Sequence, residues 1–254
     1  MIRIVLVRHG ETEWNKDHRL QGHSDIPLAQ SGVSQAETTG AFVRAQNPRQ
    51  AHVSTLVRTQ QTFERFGLDL DPRIWPELAE QNLGEWEGHY AARIRDTYPE
   101  QFEGWRAGAY TPQGGESHEQ LVTRMTQTFY EIVRATAELG PTPSADLSFE
   151  VRTAVAVSHG AALRVLFEGL GLIDRRQFIP LTPASATVID IPLHHGPVSS
   201  SLPQGGLDDE TGEDAEAAMI RNLTDDQIQD LCRLRLINLS PELLNPVATP
   251  SAAI

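Results

Sequence analysis

Two short segments of the chain place a histidine and a glycine directly after a run of aliphatic residues. They are Leu6-Val-Arg8-His9-Gly10 and Val157-Ser158-His159-Gly160. A neutral imidazole is a good nucleophile at pH 7, and an adjacent guanidinium can hold an anion through bidentate hydrogen bonds. Either segment taken alone is more typical of a solvated turn. The chemistry therefore depends on whether the two segments lie together.

The residues before each histidine predict a buried strand. Ile2 to Val7 and Thr153 to Val157 are aliphatic and β-branched, which is typical of strands that are covered on both faces of a parallel sheet. Ligands of such sheets bind at the carboxyl ends of the strands. We therefore expect both histidines at one edge of the sheet. The helix after His159 would direct free backbone N–H groups toward the same edge, where they suit an anion.

The remaining pattern alternates strands with helices, which predicts an α/β fold. We expect a three-layer sandwich with a mostly parallel central sheet flanked by helices. Two further strands are predicted over 51–54 and 187–191, the second of them being the last strand, and 75–88 is predicted to be irregular. Helices are predicted over 31–46, 59–66, 89–98, 116–138 and 161–170.

Composition and charge limit the class of protein. The chain has 254 residues, of which 39% are apolar and 22% are charged, as in soluble globular proteins. A formal net charge of −13 argues against a nucleic-acid partner, because phosphate backbones repel acidic surfaces. The single Cys232 suits a reducing compartment. No segment has the pattern of a signal peptide or of a membrane span, so a cytoplasmic protein without membrane contact is expected.

The composition changes near residue 196. Residues 1–195 are predicted to form the catalytic domain, 196–222 an acidic linker rich in Gly, Pro and Ser, and 223–254 a C-terminal helical extension. Thr224 and Gln227 have the spacing of a capping box, which predicts a helix start. The apolar face of that helix must be covered by the main domain or by a second copy, so a homodimer is possible. This face is predicted to hold Ile228, Leu231, Cys232 and Arg235.

Five separated motifs resemble, in order, the signature of the histidine phosphatase superfamily, the phosphoglycerate-mutase-like proteins. The resemblance covers about residues 2–191 and implies the phosphoglycerate mutase-like form of the α/β fold. The motifs are Arg8-His9-Gly10-Glu11-Thr12 with Trp14-Asn15 and Gln21-Gly22, Arg58-Thr59-Gln60-Gln61-Thr62, Leu78-Ala-Glu80 through Gly84-Glu-Trp86-Glu87-Gly88, Gly114-Gly115-Glu116-Ser117, and Val157-Ser158-His159-Gly160.

The resemblance implies a role for each polar residue of the site. His9 is the nucleophile that forms a phosphohistidine, and Glu80 is the proton donor to the leaving group and later the base for water. His159 completes the catalytic set and contacts phosphate oxygens. Phosphate binding is also assigned to Arg8, Arg58, Asn15 and Gly160. The acid is the least specific of these assignments, because Glu77, Glu85 and Glu87 lie near Glu80 in the sequence.

The walls of the substrate pocket are expected in the loops around the motifs. Residues 22–28, 86–90 and 106–114 are the predicted wall loops. The individual residues assigned to the pocket are Gln21, Gly22, Trp86, His89 and Tyr90. We expect no cofactor and no metal ion, because no cluster of His, Cys and Asp has ligand spacing, and His194-His195 is interpreted as a polar strand end.

The predicted function is hydrolysis of a small phosphate monoester without a metal ion. The segment 83–88, Gln21-Gly22 and the absence of a mutase-like insertion before the second histidine resemble the phosphatase members. A bisphosphoglycerate-dependent phosphoglycerate mutase is the alternative. A non-catalytic module that binds a phosphorylated ligand is a third hypothesis, which the intact set of polar residues disfavours. The expected partner is a small-molecule phosphate ester.

Overall fold

The computed structural model describes residues 1–140, 142–143, 150–174, 180–192 and 215–244, and the structural statements below refer to these residues. Most of the predicted acidic linker and the His194-His195 pair lie outside them. No helix in this part of the chain is both long and apolar enough to cross a membrane.

One sheet holds all the strands and runs in the order β3-β2-β5-β1-β6-β7, with β4 paired to β5. β1 and β5 are parallel neighbours, and their register pairs Arg8 with Ser158 at the carboxyl ends. The residues that follow these two positions are the two histidines. The strands are β1 Ile2–Arg8, β2 Gln50–Ser54, β3 Arg73–Trp75, β4 Thr142–Pro143, β5 Glu150–Ser158, β6 Ala186–Ile191 and β7 Arg233–Leu239.

The sheet is mostly parallel, as predicted. β1, β2, β3 and β5 run in one direction. β6 is antiparallel to β1, and β7 is antiparallel to β6, so β7 returns to the common direction. Only β6 opposes the other strands along the described path from β3 to β7.

Helices cover both faces of the sheet, which confirms the three-layer prediction. Along β1, Ile2, Ile4 and Leu6 pack into the apolar cluster that contains α6 and α7, while Val5 and Val7 pack against α2 and α3. This alternation is that of a strand buried on both faces. The helices are α1 Glu13–Lys16, α2 Gln30–Ala45, α3 Val57–Glu64, α4 Ala91–Thr97, α5 Pro99–Arg106, α6 His118–Ala137, α7 Gly160–Gly169, α8 Ala215–Arg221, α9 Asp225–Leu231 and α10 Pro241–Leu244.

A third apolar cluster lies apart from the two sheet faces. It joins Trp86, on a short 3₁₀ turn, to Ile94 of α4 and Phe102 of α5. The sequence analysis predicts no helix over 99–106, where the structure has α5. Two 3₁₀ turns, Pro76–Leu78 and Gly84–Trp86, account for much of the segment that was predicted to be irregular.

The C-terminal segment is not purely helical, which corrects the prediction for 223–254. The capping box of Thr224 and Gln227 is present, but α9 ends at Leu231. Arg235 therefore lies in β7, and 187–191 is not the last strand. The apolar spacing of α9 fitted a longer helix, whereas the alternation of Arg and Leu over 233–236 is the period of a strand. β7 completes the sheet beside β6.

Ile228 anchors α9 in the core, with none of its surface exposed. Its replacement by Ala leaves a cavity, so we expect the free energy of unfolding to fall by about 2–5 kcal/mol. Leu243→Ala is the control, because Leu243 is 71% exposed and surface substitutions change stability by about 0.5 kcal/mol or less. Urea unfolding followed by circular dichroism compares them. Equal effects would mean that α9 does not pack on the domain in solution.

Candidate active site

The two predicted histidines lie side by side at the carboxyl edge of the sheet. The ring centroids of His9 and His159 are 5.1 Å apart, and both side chains are buried. The backbone N–H of His9 donates to the carbonyl oxygen of Ser158 at 2.9 Å. The β1–β5 pairing therefore extends by one residue, which fixes the position of His9 relative to the second strand.

Gly10 lets the chain turn immediately after His9. A Cβ atom at this position would lie 2.5 Å from the carbonyl oxygen of Gly32 in α2, so only glycine fits the approach. The N–H of Gly10 donates to the hydroxyl of Thr62 at 3.0 Å. The turn that carries His9 is therefore held between α2 and α3.

His9 is held as a neutral imidazole. Its Nδ1 lies 2.7 Å from the carbonyl oxygen of Gly10, which can only accept, so Nδ1 carries the proton. Burial, followed by the charges of Arg58 and Arg8, lowers the pKa of His9 well below its usual value. The imidazole is therefore neutral at pH 7, and the lone pair of Nε2 is available to attack an electrophile.

His159 is neutral for the same reasons and positions Arg58. Its pKa is lowered well below the usual value by burial and then by the charge of Arg58. The Nε of Arg58 donates to Nδ1 of His159 at 3.2 Å. The proton of His159 is therefore on Nε2, which lies 2.8 Å from the hydroxyl of Ser54. Both ring nitrogens are thus engaged by protein groups in this arrangement.

Arg58 is fully buried on the first turn of α3. Its two terminal nitrogens donate to backbone carbonyls of one loop, Nη1 to Ser24 at 2.9 Å and Nη2 to Gly22 at 2.8 Å. Burial lowers the pKa of Arg58 to about 10, against the opposing charge of Glu80. The side chain is therefore still a cation at pH 7.

Glu87 organises the loop that holds Arg58. Its carboxylate accepts from the backbone N–H groups of His23 and Ser24, both at 2.8 Å, and from that of Leu83 at 3.2 Å. Partial burial acts to raise the pKa of Glu87, but these hydrogen bonds and that of the Ser24 hydroxyl outweigh it and lower the pKa. Glu87 is thus an ionised carboxylate whose oxygens are already occupied by hydrogen bonds from this loop.

Arg8 offers an unused donor beside the start of α7. Its Nη1 donates to the carbonyl of Leu181, while its buried Nε has no hydrogen-bond partner in the described residues. A Cβ atom at Gly160 would lie 3.3 Å from this Nε, so glycine gives the guanidinium room. Burial lowers the pKa of Arg8, with Glu80 and Glu11 acting against it. An anion at this point would satisfy the free donor.

Glu80 lies over the N-terminus of α7. Its Oε1 accepts from the N–H groups of Gln81 and Ala162, both at 2.9 Å, and its Oε2 from that of Ala161 at 3.1 Å. Of the four glutamates weighed from the sequence, Glu80 is the one that is buried and also lines the cavity described below. Glu77 and Glu85 are exposed.

Asn15 and Gln21 meet at Thr12. The Oδ1 of Asn15 closes the capping box of α1 with Thr12, and Nε2 of Gln21 donates to the Thr12 hydroxyl at 2.8 Å. Because Oδ1 of Asn15 is occupied by Thr12, the Nδ2 group is the part of the Asn15 side chain that could donate to a ligand.

A cavity of about 780 Å³ lies beside the site, and His9, Arg58 and His159 are not among the residues that line it. Its inner end is lined by Arg8, Glu80, Gly160 and Ala161. The outer walls come from α4, α5, the start of α6 and the first two turns of α7. They include Arg95, Phe102, Trp105, Arg106, His118 and Arg164. The lining holds four arginines and two glutamates, so the arginines outnumber the carboxylates although the protein as a whole is acidic. Arg95, Arg106 and Arg164 each lie within 4.0 Å of a neighbouring carboxylate.

The residues assigned to the pocket from the sequence lie around this cavity and do not line it. Gln21 and Gly22 serve Thr12 and Arg58, as described above. Trp86 is 2% exposed and packs in the third apolar cluster, and His89 and Tyr90 are exposed. The walls are formed instead by α4 and α5. Arg106, in one of the predicted wall loops, does line the cavity.

Sequence reasoning missed two groups that hold the site. Ser54 ends β2 at the same edge of the sheet and contacts His159. The strand-end argument that found the histidines applies to it equally. Arg124 of α6 contacts the Glu80 segment, and no local pattern singles it out. In the part of the chain that the structure describes, no three His, Cys, Asp or Glu side chains are grouped to hold a metal ion.

A profile of the histidine phosphatase superfamily (branch 1) matches residues 4–200. The chain belongs to this superfamily. A probable phosphoglycerate mutase GpmB of Cronobacter sakazakii is 36% identical over 174 residues, which are 65% of this chain and 73% of that protein. A glucosyl-3-phosphoglycerate phosphatase of Mycobacterium tuberculosis is 31% identical over 171 residues, 66% of this chain and 74% of that protein.

The likeness in fold extends beyond the matched profile. A solved structure of a mycobacterial glucosyl-3-phosphoglycerate phosphatase superposes with a TM-score of 0.71 over 94% of this chain and 99% of that chain. Their sequence identity is 24%, so this match describes the fold alone.

The buried His9 makes stability depend on pH in a defined direction. Its pKa is lower in the folded protein than the unfolded value of about 6.5, so below that pH the unfolded chain binds a proton that the native state does not. The free energy of unfolding then falls with decreasing pH, by up to about 1.4 kcal/mol per pH unit for each such histidine.

We therefore expect His9→Gln to show a shallower loss of stability than the wild type between about pH 6.5 and 5. Urea unfolding at a series of pH values measures the two slopes. Equal slopes would show that His9 binds protons alike in the folded and unfolded states.

Proposed function

We propose that this protein hydrolyses monoesters of small phosphorylated metabolites through a phosphohistidine on His9, without a metal ion. The observation that carries the proposal is the state of His9. It is a buried neutral imidazole whose Nδ1 is bound to a carbonyl and whose Nε2 has no hydrogen bond within the described residues, and its pKa is lowered by burial and then by the charges of Arg58 and Arg8. The family membership supports the same chemistry.

The reaction follows from the positions of these groups. Nε2 of His9 attacks the phosphorus atom, the bond to the ester oxygen breaks, and a protonated Glu80 gives its proton to that oxygen. Water then attacks the phosphohistidine, Glu80 takes the proton from the water, and phosphate leaves. A positioned acid of this kind contributes about 10²–10⁴-fold to the rate.

The charge of the transferred group is held by cations and N–H groups. The free Nε of Arg8 and the N–H of Gly160 are the donors at the inner end of the cavity, and Arg58 adds its charge. We propose that Nε2 of His159 exchanges its bond with Ser54 for one with a phosphate oxygen, while Asn15 contributes its amide. Phosphoryl transfer depends mostly on such positioning and charge stabilisation.

The outer cavity indicates a substrate larger than phosphate itself. Arg95, Arg106 and Arg164 supply positive charge, and Trp105 supplies an aromatic surface. These walls suit a metabolite with a second polar or anionic group. The similarity to a protein named glucosyl-3-phosphoglycerate phosphatase supports a substrate of this kind.

Phosphoglycerate mutase activity is the second candidate, and the 36% identity to a probable phosphoglycerate mutase favours it. A mutase must keep its intermediate bound, whereas a phosphatase must let water reach the phosphohistidine. The two activities therefore differ in whether inorganic phosphate is released.

We also propose a cytoplasmic homodimer. The single cysteine of the chain suits a reducing compartment. One edge of β7 pairs with β6, and in the described residues its other edge has no strand partner, so a second copy could extend the sheet there. Size-exclusion chromatography with light scattering tests the dimer, and a monomer over a range of concentrations would contradict it.

Purified protein should release phosphate from p-nitrophenyl phosphate in the presence of EDTA. His9→Asn should abolish this release, because the substitution removes the nucleophile. His18→Asn is the matched control: His18 is exposed, and its positive φ of 54° suits asparagine. We expect this control to keep wild-type activity in the same continuous colorimetric assay.

Three outcomes would count against the proposal. Loss of activity in EDTA that zinc or magnesium restores would contradict metal independence. Unchanged turnover in His9→Asn would contradict the nucleophile. Interconversion of phosphoglycerates that depends on bisphosphoglycerate, with little release of phosphate, would favour the mutase.

A further inference from the structure

Arg124, on α6, uses all the N–H groups of its guanidinium on one neighbouring segment and one carboxylate. Nη1 donates to the carbonyls of Glu77 and Ala79 at 2.6 and 2.8 Å, and Nη2 to that of Glu80 at 2.9 Å. Nε and Nη2 donate to the two oxygens of Glu116 at 2.6 and 2.8 Å. Five donors thus meet five acceptors, which is the full capacity of an arginine.

The segment that carries Glu80 is not part of a β-strand, so its carbonyls are not paired in a sheet. It leaves the 3₁₀ turn of Pro76–Leu78 at Ala79, whose backbone is extended, and enters no strand. Its carbonyls therefore need partners from elsewhere, because unpaired buried carbonyls are costly. Arg124 provides a partner for three of them, and Nε2 of His23 lies 2.9 Å from the carbonyl of Glu80 as well.

Glu116 is itself attached to the same segment. Its backbone N–H donates to the carbonyl of Asn82 at 2.8 Å, and Nε2 of Gln81 donates to its carbonyl at 2.9 Å. The pair of Arg124 and Glu116 therefore encloses the chain on both sides of Glu80. If the Arg124–Glu116 ion pair only stabilised α6, it would not need the additional hydrogen bonds to the main chain around Glu80.

We propose that Arg124 is a positioning residue for the general acid. It holds the main chain of Glu80 so that the carboxyl group lies over the start of α7, beside Arg8 and within reach of the leaving oxygen. Arg124 acts through Glu80 and does not line the cavity. The proposal rests on the proposed function, in which Glu80 protonates the leaving group.

The size of the expected effect follows from the geometry of proton transfer. The acid must approach the leaving oxygen to about 2.6–3.2 Å. A misplacement of about 1 Å can cost about 10²-fold in rate. Without Arg124 the carbonyls of Glu77, Ala79 and Glu80 lose a shared donor and Glu116 loses its partner, so an error of that size is expected.

Dependence on the leaving group distinguishes this role from a structural one. An aryl phosphate such as p-nitrophenyl phosphate releases a stable phenolate and needs little help from an acid. An alkyl phosphate such as glycerol 2-phosphate releases an alkoxide and needs the proton. We expect Arg124→Gln to lower kcat/KM for the alkyl ester about 10²-fold and for the aryl ester by less than about tenfold. Glu80→Gln should show the same selectivity, more strongly.

Arg134→Gln is the matched control on the same helix. Arg134 also bonds a carbonyl and a carboxylate, those of Leu223 and Asp225, but these belong to the C-terminal segment. Its substitution should leave the ratio of the two kcat/KM values unchanged. If Arg124→Gln does not fold, Arg124→Lys gives the same comparison, since lysine keeps the charge but not the fork.

The outcomes separate the two proposals. If the wild-type protein hydrolyses neither ester, the proposed function fails. If it hydrolyses both and the Arg124 variant loses equally on both, or loses on neither, the positioning role is overturned while the phosphatase stands. Selective loss on the alkyl ester, absent in Arg134→Gln, supports the positioning role.

Discussion

The site depends on a guanidinium that is buried without an ion pair. Arg58 has no exposed surface and, in the described residues, forms no salt bridge; it is held by His159 and by the carbonyls of Gly22 and Ser24. A charge taken out of water costs several kcal/mol unless hydrogen bonds compensate. The loop and the second histidine supply that compensation. In return, the charge of Arg58 helps to keep His9 neutral.

The rest of the structure supports this centre in two further layers. The pairing of β1 with β5 places the histidines together. Around them, two segments without regular ladders carry the remaining polar groups, and each is tied by a residue outside the cavity. Glu87 gathers the N–H groups of the loop at 22–24, and Arg124 gathers the carbonyls before Glu80. Glu87 accepts hydrogen bonds from backbone N–H groups, and Arg124 donates hydrogen bonds to backbone carbonyls.

Sequence reasoning succeeded where a short pattern determines the structure. The buried strands before His9 and His159 could be predicted because aliphatic runs and His-Gly turns are local signals. β7 could not be predicted because it follows directly on α9, and the apolar spacing of α9 can be continued as a helix into the residues of β7. The cavity walls were misplaced because α5 was not recognised. Arg124 could not have been found locally: an arginine on a helix is usually a solvated residue, and its carbonyl partners lie more than 40 residues away in the sequence.

The central claim is that His9 accepts the phosphoryl group. Brief mixing of the protein with an alkyl phosphate, an alkaline quench that preserves the phosphorus–nitrogen bond, and peptide mass spectrometry test it most directly. We predict one phosphoryl group on His9 that forms within a turnover and decays as phosphate appears. Turnover with no label on His9, or with label on another residue, would contradict the account.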